Sequence, residues 1–313
     1  MAASRYGFAE SPVENWPALG DPLGVDLLVK RDDLLPFPLA GNKFRKLSAE
    51  MEAKHWGPGE VLISNGSVSS NHCRTLALLG AREGCDVHLV LHDEGHTSTA
   101  RAMGLRILTA LGASFEVVPS REISLHLERA QRRAEASASR VHVVPGGAHT
   151  AAAVEAYRRA ALSTLAAVSP DVVVLASGTG ATQAGLAMGA AQAGSPRVIG
   201  VSVARSHARG VAAIRECLEW FPDTHHVSIE FTDDFSDGGY GKTSSVTEAT
   251  VARGWSAGLP LDTTYTGKAF RGLVEMAFRG EITSGSRVLF WHTGGLMNYL
   301  ESLTSSRPAL DDA

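Results

Sequence analysis

DVVVLASGTGATQAGLAMGAAQAGSPRVIGVSV, residues 171–203, reads as strand, turn, helix and strand. The opening run, Asp171 to Ser177, is Val-rich without polar alternation. That pattern suits a strand buried on both faces, as in a parallel sheet. Val172 to Pro196 carries no charge and is long enough to invite a membrane-spanning reading. Its glycines, with Ser, Thr and Gln, suit a buried strand, a turn and a helix better.

The same alternation extends in both directions. Strand runs are predicted at 26–32, 61–65, 86–92, 114–119, 140–145, 197–203, 226–231 and 287–293, besides 171–177. Between most of them lie helical stretches such as NHCRTLALLGAREG, SLHLERAQRRAEAS and AVEAYRRAALSTLAAV. This order predicts an α/β fold with parallel sheets flanked by helices. No fixed-period repeat or low-complexity linker interrupts it, so a second domain would be an insertion.

With 313 residues, 44% hydrophobic and 20% charged, the chain has ample material for one large core or two moderate ones. A net charge of −4 gives no electrostatic footprint for nucleic acid or an anionic membrane. Cys73, Cys85 and Cys217 are too few and scattered for a disulfide framework or zinc cluster, which fits a reducing interior. The N-terminus lacks the charged and apolar regions of a secretory signal, so a cytoplasmic location is expected. His92 and His96 flank a loop-like Asp-Glu-Gly, and no metal is expected there. Cys73 reads as a packed thiol.

Six segments could carry chemistry. In LLVKRDDLLPFPLAGNKFRKLSAEM, residues 27–51, Gly41-Asn42-Lys43 opens a helix that also bears Arg45 and Lys46. A lysine there opposes the helix dipole. It is either a solvated basic first turn or an amine whose pKa is lowered for attack on an aldehyde. Ser64 to His72 packs serines and asparagines between a strand and a helix, more than an N-cap requires, and suits a carboxylate. Ser177-Gly178-Thr179-Gly180-Ala181-Thr182 suits a phosphate at a helix N-terminus. Gln183 stands where a dinucleotide fingerprint needs a small residue, and the next strand ends in Arg205 rather than an acid. Ser236 to Thr243 falls one glycine short of a nucleotide P-loop, with no strand ending in a magnesium-binding acid. The last two segments are Tyr265-Thr266-Gly267-Lys268-Ala269 and, at the end of the last strand, Phe290-Trp291-His292-Thr293-Gly294-Gly295.

GNKFRKL, SSNH, SGTGATQAGL, YTGKA and HTGG stand in this order from about Pro12 to about Leu300. Together they resemble the fold-type-II pyridoxal phosphate family of D-cysteine desulfhydrase and 1-aminocyclopropane-1-carboxylate deaminase. The resemblance implies a two-domain, tryptophan-synthase-β-like fold. Residues 1–48 and 150–313 would form the large cofactor-binding domain and 49–149 a small inserted α/β domain, with the cofactor in the cleft. It implies Lys43 as the Schiff-base lysine, Lys46 as a phosphate contact and Asn71 as partner of the cofactor's phenolic oxygen. Ser70, Asn71 and His72 would face the substrate, joined by Tyr240 and Tyr265. Ser177, Gly178, Thr179, Gly180, Ala181 and Thr182 would cradle the phosphate, and Thr293 with Gly294 would lie at the pyridine nitrogen.

The implied reaction is α,β-elimination on a small amino acid, with D-cysteine to pyruvate, sulfide and ammonia preferred. Alternatives are cyclopropane ring opening, a lyase for cysteate or serine, or a non-catalytic binder of a phosphorylated ligand. Cyclopropane deaminases are expected to carry an acid directly after the counterpart of Tyr265. Thr266 stands there instead, a weaker partner for a ring nitrogen, which favours elimination. The bulky loop Leu35-Pro36-Phe37-Pro38-Leu39 and His149 could reshape the pocket. Family habit is a homodimer; a small amino acid is the expected partner.

Overall fold

The computed structural model describes residues 10–35, 41–93, 98–137 and 140–305. Most of the loop 35–39, and His96, therefore lie outside the described residues. Ten strands occur among these residues: β1 (Val13–Asn15), β2 (Asp26–Arg31), β3 (Val61–Ser67), β4 (Asp86–His92), β5 (Ser114–Val117), β6 (Val141–Val143), β7 (Val172–Ser177), β8 (Arg197–Ser202), β9 (Glu230–Thr232) and β10 (Arg287–His292). The helices are α1 (Pro17–Gly20), α2 (Asn42–Lys54), α3 (Asn71–Glu83), α4 (Ser98–Ala110), α5 (Ile123–Glu135), α6 (Ala151–Val168), α7 (Ala181–Gln192), α8 (His207–Glu219), α9 (Ser245–Ser256), α10 (Thr266–Phe278) and α11 (Leu296–Ser305). This is the parallel α/β fold expected. The described residues divide into two compact units, one within Met1–Lys46 and His149–Leu296, the other within Leu47–Ala148 and Met297–Ala313.

The first unit is built on a six-stranded sheet ordered β1-β2-β10-β7-β8-β9. All neighbours are parallel except β1, which pairs antiparallel with β2 and had no counterpart among the predicted strands. Every residue of β7 is buried, as a central strand covered on both faces requires. The uncharged stretch is thus β7, a turn and α7, the latter buried from Ala181 to Ala190. Gly185 and Gly189, one turn apart, let α7 approach α6: a Cβ at 189 would stand 2.9 Å from the Arg158 carbonyl oxygen. No described helix is long and apolar enough to cross a membrane. Of the strand predicted at 226–231 only Glu230 and Phe231 are extended, as part of β9, which pairs in parallel with Ile199 to Val201 of β8.

The second unit holds a parallel sheet ordered β5-β4-β3-β6. Helix α3 follows β3 and buries His72, Cys73 and Arg74 in its first turn. Arg74 is paired there with buried Glu301 of α11 at 2.6 Å. Cys73 is fully buried, and burial pushes its thiol up to about 11, so it is a packed thiol rather than a nucleophile.

Candidate active site

In the first unit the parallel strands β2, β10, β7 and β8 end side by side, so the turns after them share one edge of the sheet. This is where open α/β sheets bind ligands. The turn after β10 holds Thr293, Gly294 and Gly295, and the amide of Asn42 donates to the Thr293 carbonyl at 2.9 Å. Gly41, with φ of +49°, packs on Thr293 and Gly294 so closely that a side chain would collide with the Thr293 carbonyl. The first turn of α2, and with it Lys43, is therefore fixed against the end of β10.

Lys43 is partly buried, and burial lowers its amine to about 8. Lys46, one turn on, is 1% exposed and falls well below the ordinary lysine value, through burial first and the Lys43 charge second. Burial lowers His149, with the Lys46 charge adding to it, and burial raises the Cys217 thiol of α8 against the opposing pull of Lys46. Between the two lysines, Arg45 pairs with fully buried Asp32 at 2.9 Å. Asp32 also accepts from Ser11 Oγ (2.6 Å), Tyr157 OH (2.8 Å) and Trp291 Nε1 (2.8 Å). Burial raises this carboxyl, but Arg45 and the donors outweigh it and hold it below the ordinary range. The network rivets α2 to β2, β10 and α6. The sequence reading gave Asp32 no role, since its partners lie far away along the chain.

The turn from β7 to α7 contains Ser177, Gly178, Thr179 and Gly180, followed by Ala181 and Thr182 in the helix. Gly180 has φ of +95°, and a Cβ there would stand 3.0 Å from the Ala213 backbone of α8. No side chain caps the N-terminus of α7, and its first turn has no acid. The Ser177 hydroxyl is buried without a hydrogen-bond partner. Open helix N–H groups beside an orphaned hydroxyl fit a phosphate. Gln183 points away, its side-chain amide donating to the Glu230 carbonyl at 2.6 Å.

Tyr240 and Tyr265 meet hydroxyl to hydroxyl at 2.6 Å, with rings edge to face. Thr266 is fully buried; its hydroxyl donates to Asp262 Oδ1 at 2.7 Å and accepts from the Asp262 amide at 3.0 Å. Asp262 also accepts from the amides of Thr264, Tyr265 and Thr266, each at 2.9 Å. Burial nevertheless leaves its carboxyl above the ordinary range. Gly295 lies directly over it, leaving no room for a Cβ. The first unit thus brings Lys43, Thr293, Gly294, Asp262, Thr266 and the tyrosine pair into one chain of contacts. Asp262 was not foreseen, although an aspartate followed by Thr-Thr before a helix is a recognisable turn and cap signal.

Ser70, Asn71 and His72 belong to the second unit. Ser70 is the N-cap of α3, accepting from the Cys73 amide at 3.3 Å. Asn71 donates to Asn298 and accepts from Arg74. Buried His72 meets Ser64 Oγ at 2.7 Å, and that hydroxyl donates to the Val144 carbonyl. These contacts support the loop from beneath. The hydroxyls of Ser67, at the end of β3, and Ser69, in the turn that follows, are buried and have no hydrogen-bond partner. No cluster of three metal-ligating side chains occurs among the described residues.

The pyridoxal-phosphate dependent enzyme family matches residues 5–294 of the chain. A Pyrococcus horikoshii protein bearing the provisional name 1-aminocyclopropane-1-carboxylate deaminase is 32% identical over 301 residues, covering 92% of this chain and 90% of its own. A D-cysteine desulfhydrase of Salmonella typhi is 31% identical, with 92% of both chains covered. Among solved structures, an ACC deaminase homologue superposes with a TM-score of 0.81 at 30% identity, covering 95% of this chain and 94% of the other. With similarity spanning nearly its whole length, this chain belongs to the pyridoxal-phosphate dependent enzymes.

Proposed function

We propose that this enzyme catalyses α,β-elimination on a small β-substituted amino acid, with D-cysteine, converted to pyruvate, sulfide and ammonia, as the best candidate. Pyridoxal phosphate supplies an aldehyde for a lysine amine and an electron-withdrawing ring that acidifies the substrate α-carbon. Lys43 is the residue assigned to that aldehyde: its lowered pKa leaves a larger share of neutral, nucleophilic amine near neutral pH. The same amine is the base for the α-proton once substrate has displaced it. Ser177 to Thr182 would hold the phosphate at the N-terminus of α7, and a phosphate dianion there would favour the protonated form of buried Lys46, which would serve as counter-charge. In the second unit, the loop of Ser70, Asn71 and His72, together with the unpartnered hydroxyls of Ser67 and Ser69, suits the substrate carboxylate. Tyr240 and Tyr265 are assigned to the substrate side chain, where a phenol can pass a proton to a leaving group.

The observation that carries the choice of reaction is Thr266. Its hydroxyl proton is committed to Asp262, so it can meet a ring nitrogen only as a neutral acceptor. It cannot give the ionic hydrogen bond that a carboxylate at this position would give to a protonated nitrogen. A weaker electron sink suffices for expelling a good β-leaving group. The test is a side-by-side comparison of keto-acid and ammonia release from D-cysteine, L-cysteine and 1-aminocyclopropane-1-carboxylate. D-cysteine should react fastest and the cyclopropane little; ring opening as the fastest of the three would overturn the proposed reaction.

A further inference from the structure

Lys268 lies in the first turn of α10, three residues beyond Tyr265, and its side chain is completely buried. Its ammonium donates to three backbone carbonyls: Val203 at 3.0 Å, Ser236 at 2.8 Å and Gly239 at 2.8 Å. An ammonium has three N–H donors, so this set uses all of them. The acceptors come from two places. Val203 follows β8 at the ligand-binding edge of the sheet, whereas Ser236 and Gly239 belong to the loop that carries Tyr240. That loop runs through positive φ at Asp237 (+54°), Gly238 (+78°), Gly239 (+141°) and Gly241 (+69°). The aspartate at +54° carries the steric penalty of a left-handed side-chain residue. Such a backbone needs outside contacts to hold one conformation. The side chain of Asp237 supplies one set, to Arg271 and Thr247. The converging carbonyls would repel one another without the cation between them.

We propose that Lys268 is a positioning residue acting as a built-in cation: its ammonium gathers the carbonyls of Val203, Ser236 and Gly239 and so holds Tyr240 against Tyr265. The geometry is direct. Gly239 is bonded to Tyr240, Lys268 lies in the first turn of α10 whose N-cap is Tyr265, and the two hydroxyls meet at 2.6 Å. Tyr240 is 47% exposed, so packing alone does not fix its ring. The catalytic meaning of this device rests on the reading of the tyrosine pair given above; the device itself does not.

The test uses the holoenzyme with Lys268→Ala and Lys268→Gln, reading amide hydrogen exchange over residues 236–242 together with turnover. In Lys268→Ala, exchange in this segment should rise about tenfold or more, with cofactor content unchanged and turnover reduced. Propylammonium chloride should restore both protection and turnover, because it returns an N–H-bearing cation to the vacated space. Tetramethylammonium, which has no N–H, should restore neither. Lys268→Gln, with two amide donors, should fall between the native protein and the alanine variant. Unchanged exchange in Lys268→Ala would overturn the proposal, as would equal rescue by both cations, no rescue by propylammonium, or lost protection with undiminished turnover. Failure of both variants to fold would also contradict it, since the contact ties one loop to one sheet edge. If the proposed reaction itself is wrong, the exchange results still stand and decide the role of Lys268.

Discussion

Lys43 sits at the start of α2, where burial lowers its amine to about 8 from the ordinary lysine value of 10.5. Below pH 8 the lysine is protonated in both folded and unfolded chains, and the folded chain bears the full desolvation penalty. Between about 8 and 10.5 the folded state has released the proton and the unfolded state still holds it, so rising pH stabilises the fold. In cofactor-free protein, Lys43→Met should therefore be more stable than the native chain below pH 8, with the advantage shrinking as pH approaches 10.5. Urea midpoints for both proteins across that window check this, and a difference independent of pH would count against it. Asp262 offers a second test at this scale. Both its oxygens accept N–H or O–H donors, so the amide nitrogen of Asp262→Asn would have to face a donor. A loss of about 1–3 kcal/mol of stability is expected, measured by denaturant unfolding; an unchanged midpoint would mean that the Thr264–Thr266 turn does not depend on this carboxylate.

Two elements carry the site in the first unit, and each has a distinct weak point. Helix α7 depends on Gly180, where a Cβ would press on the Ala213 backbone. Gly180→Val should displace the turn and sharply reduce cofactor retention after dialysis; full retention would mean that the loop had been misassigned. Helix α2 depends on Asp32, whose removal in Asp32→Ala leaves the Arg45 guanidinium buried beside Tyr157 and Trp291 without its main partner. Breaking a buried pair on one side costs about 3–5 kcal/mol, which a urea titration would register. The two elements were not equally legible in the sequence. The α7 turn announces itself locally, through glycines and hydroxyls between a Val-rich strand and a small-residue helix. The anchoring of α2 does not, because Asp32 reaches Tyr157 and Trp291 across more than a hundred residues of chain. Lys268 lay inside a motif singled out from the sequence, yet its three carbonyl partners come from two distant loops and no residue pattern encodes them.

For the whole molecule, periodicity and order were sufficient to reveal parallel α/β architecture, since helices must cover both faces of a sheet whose strands are continuously apolar. Short edge strands escaped that logic: Val13–Asn15 is too brief to show a pattern, and the stretch before Glu230 has strand-like composition but does not pair with β8. Family membership accounts for the cofactor, while the proposed substrate preference is tested by the comparison of D-cysteine, L-cysteine and the cyclopropane. The central claim is narrower than either. It is that, of the buried lysines near the strand ends, Lys43 carries the cofactor. Lys30, Lys46 and Lys268 are more deeply buried than Lys43, Lys30 donating to the Ser11 carbonyl and Lys268 to three carbonyls of its own. Borohydride reduction of the purified holoenzyme followed by peptide mapping decides among them. A pyridoxyl group on Lys43 is the predicted result, and the same group on Lys30, Lys46 or Lys268 would contradict the account.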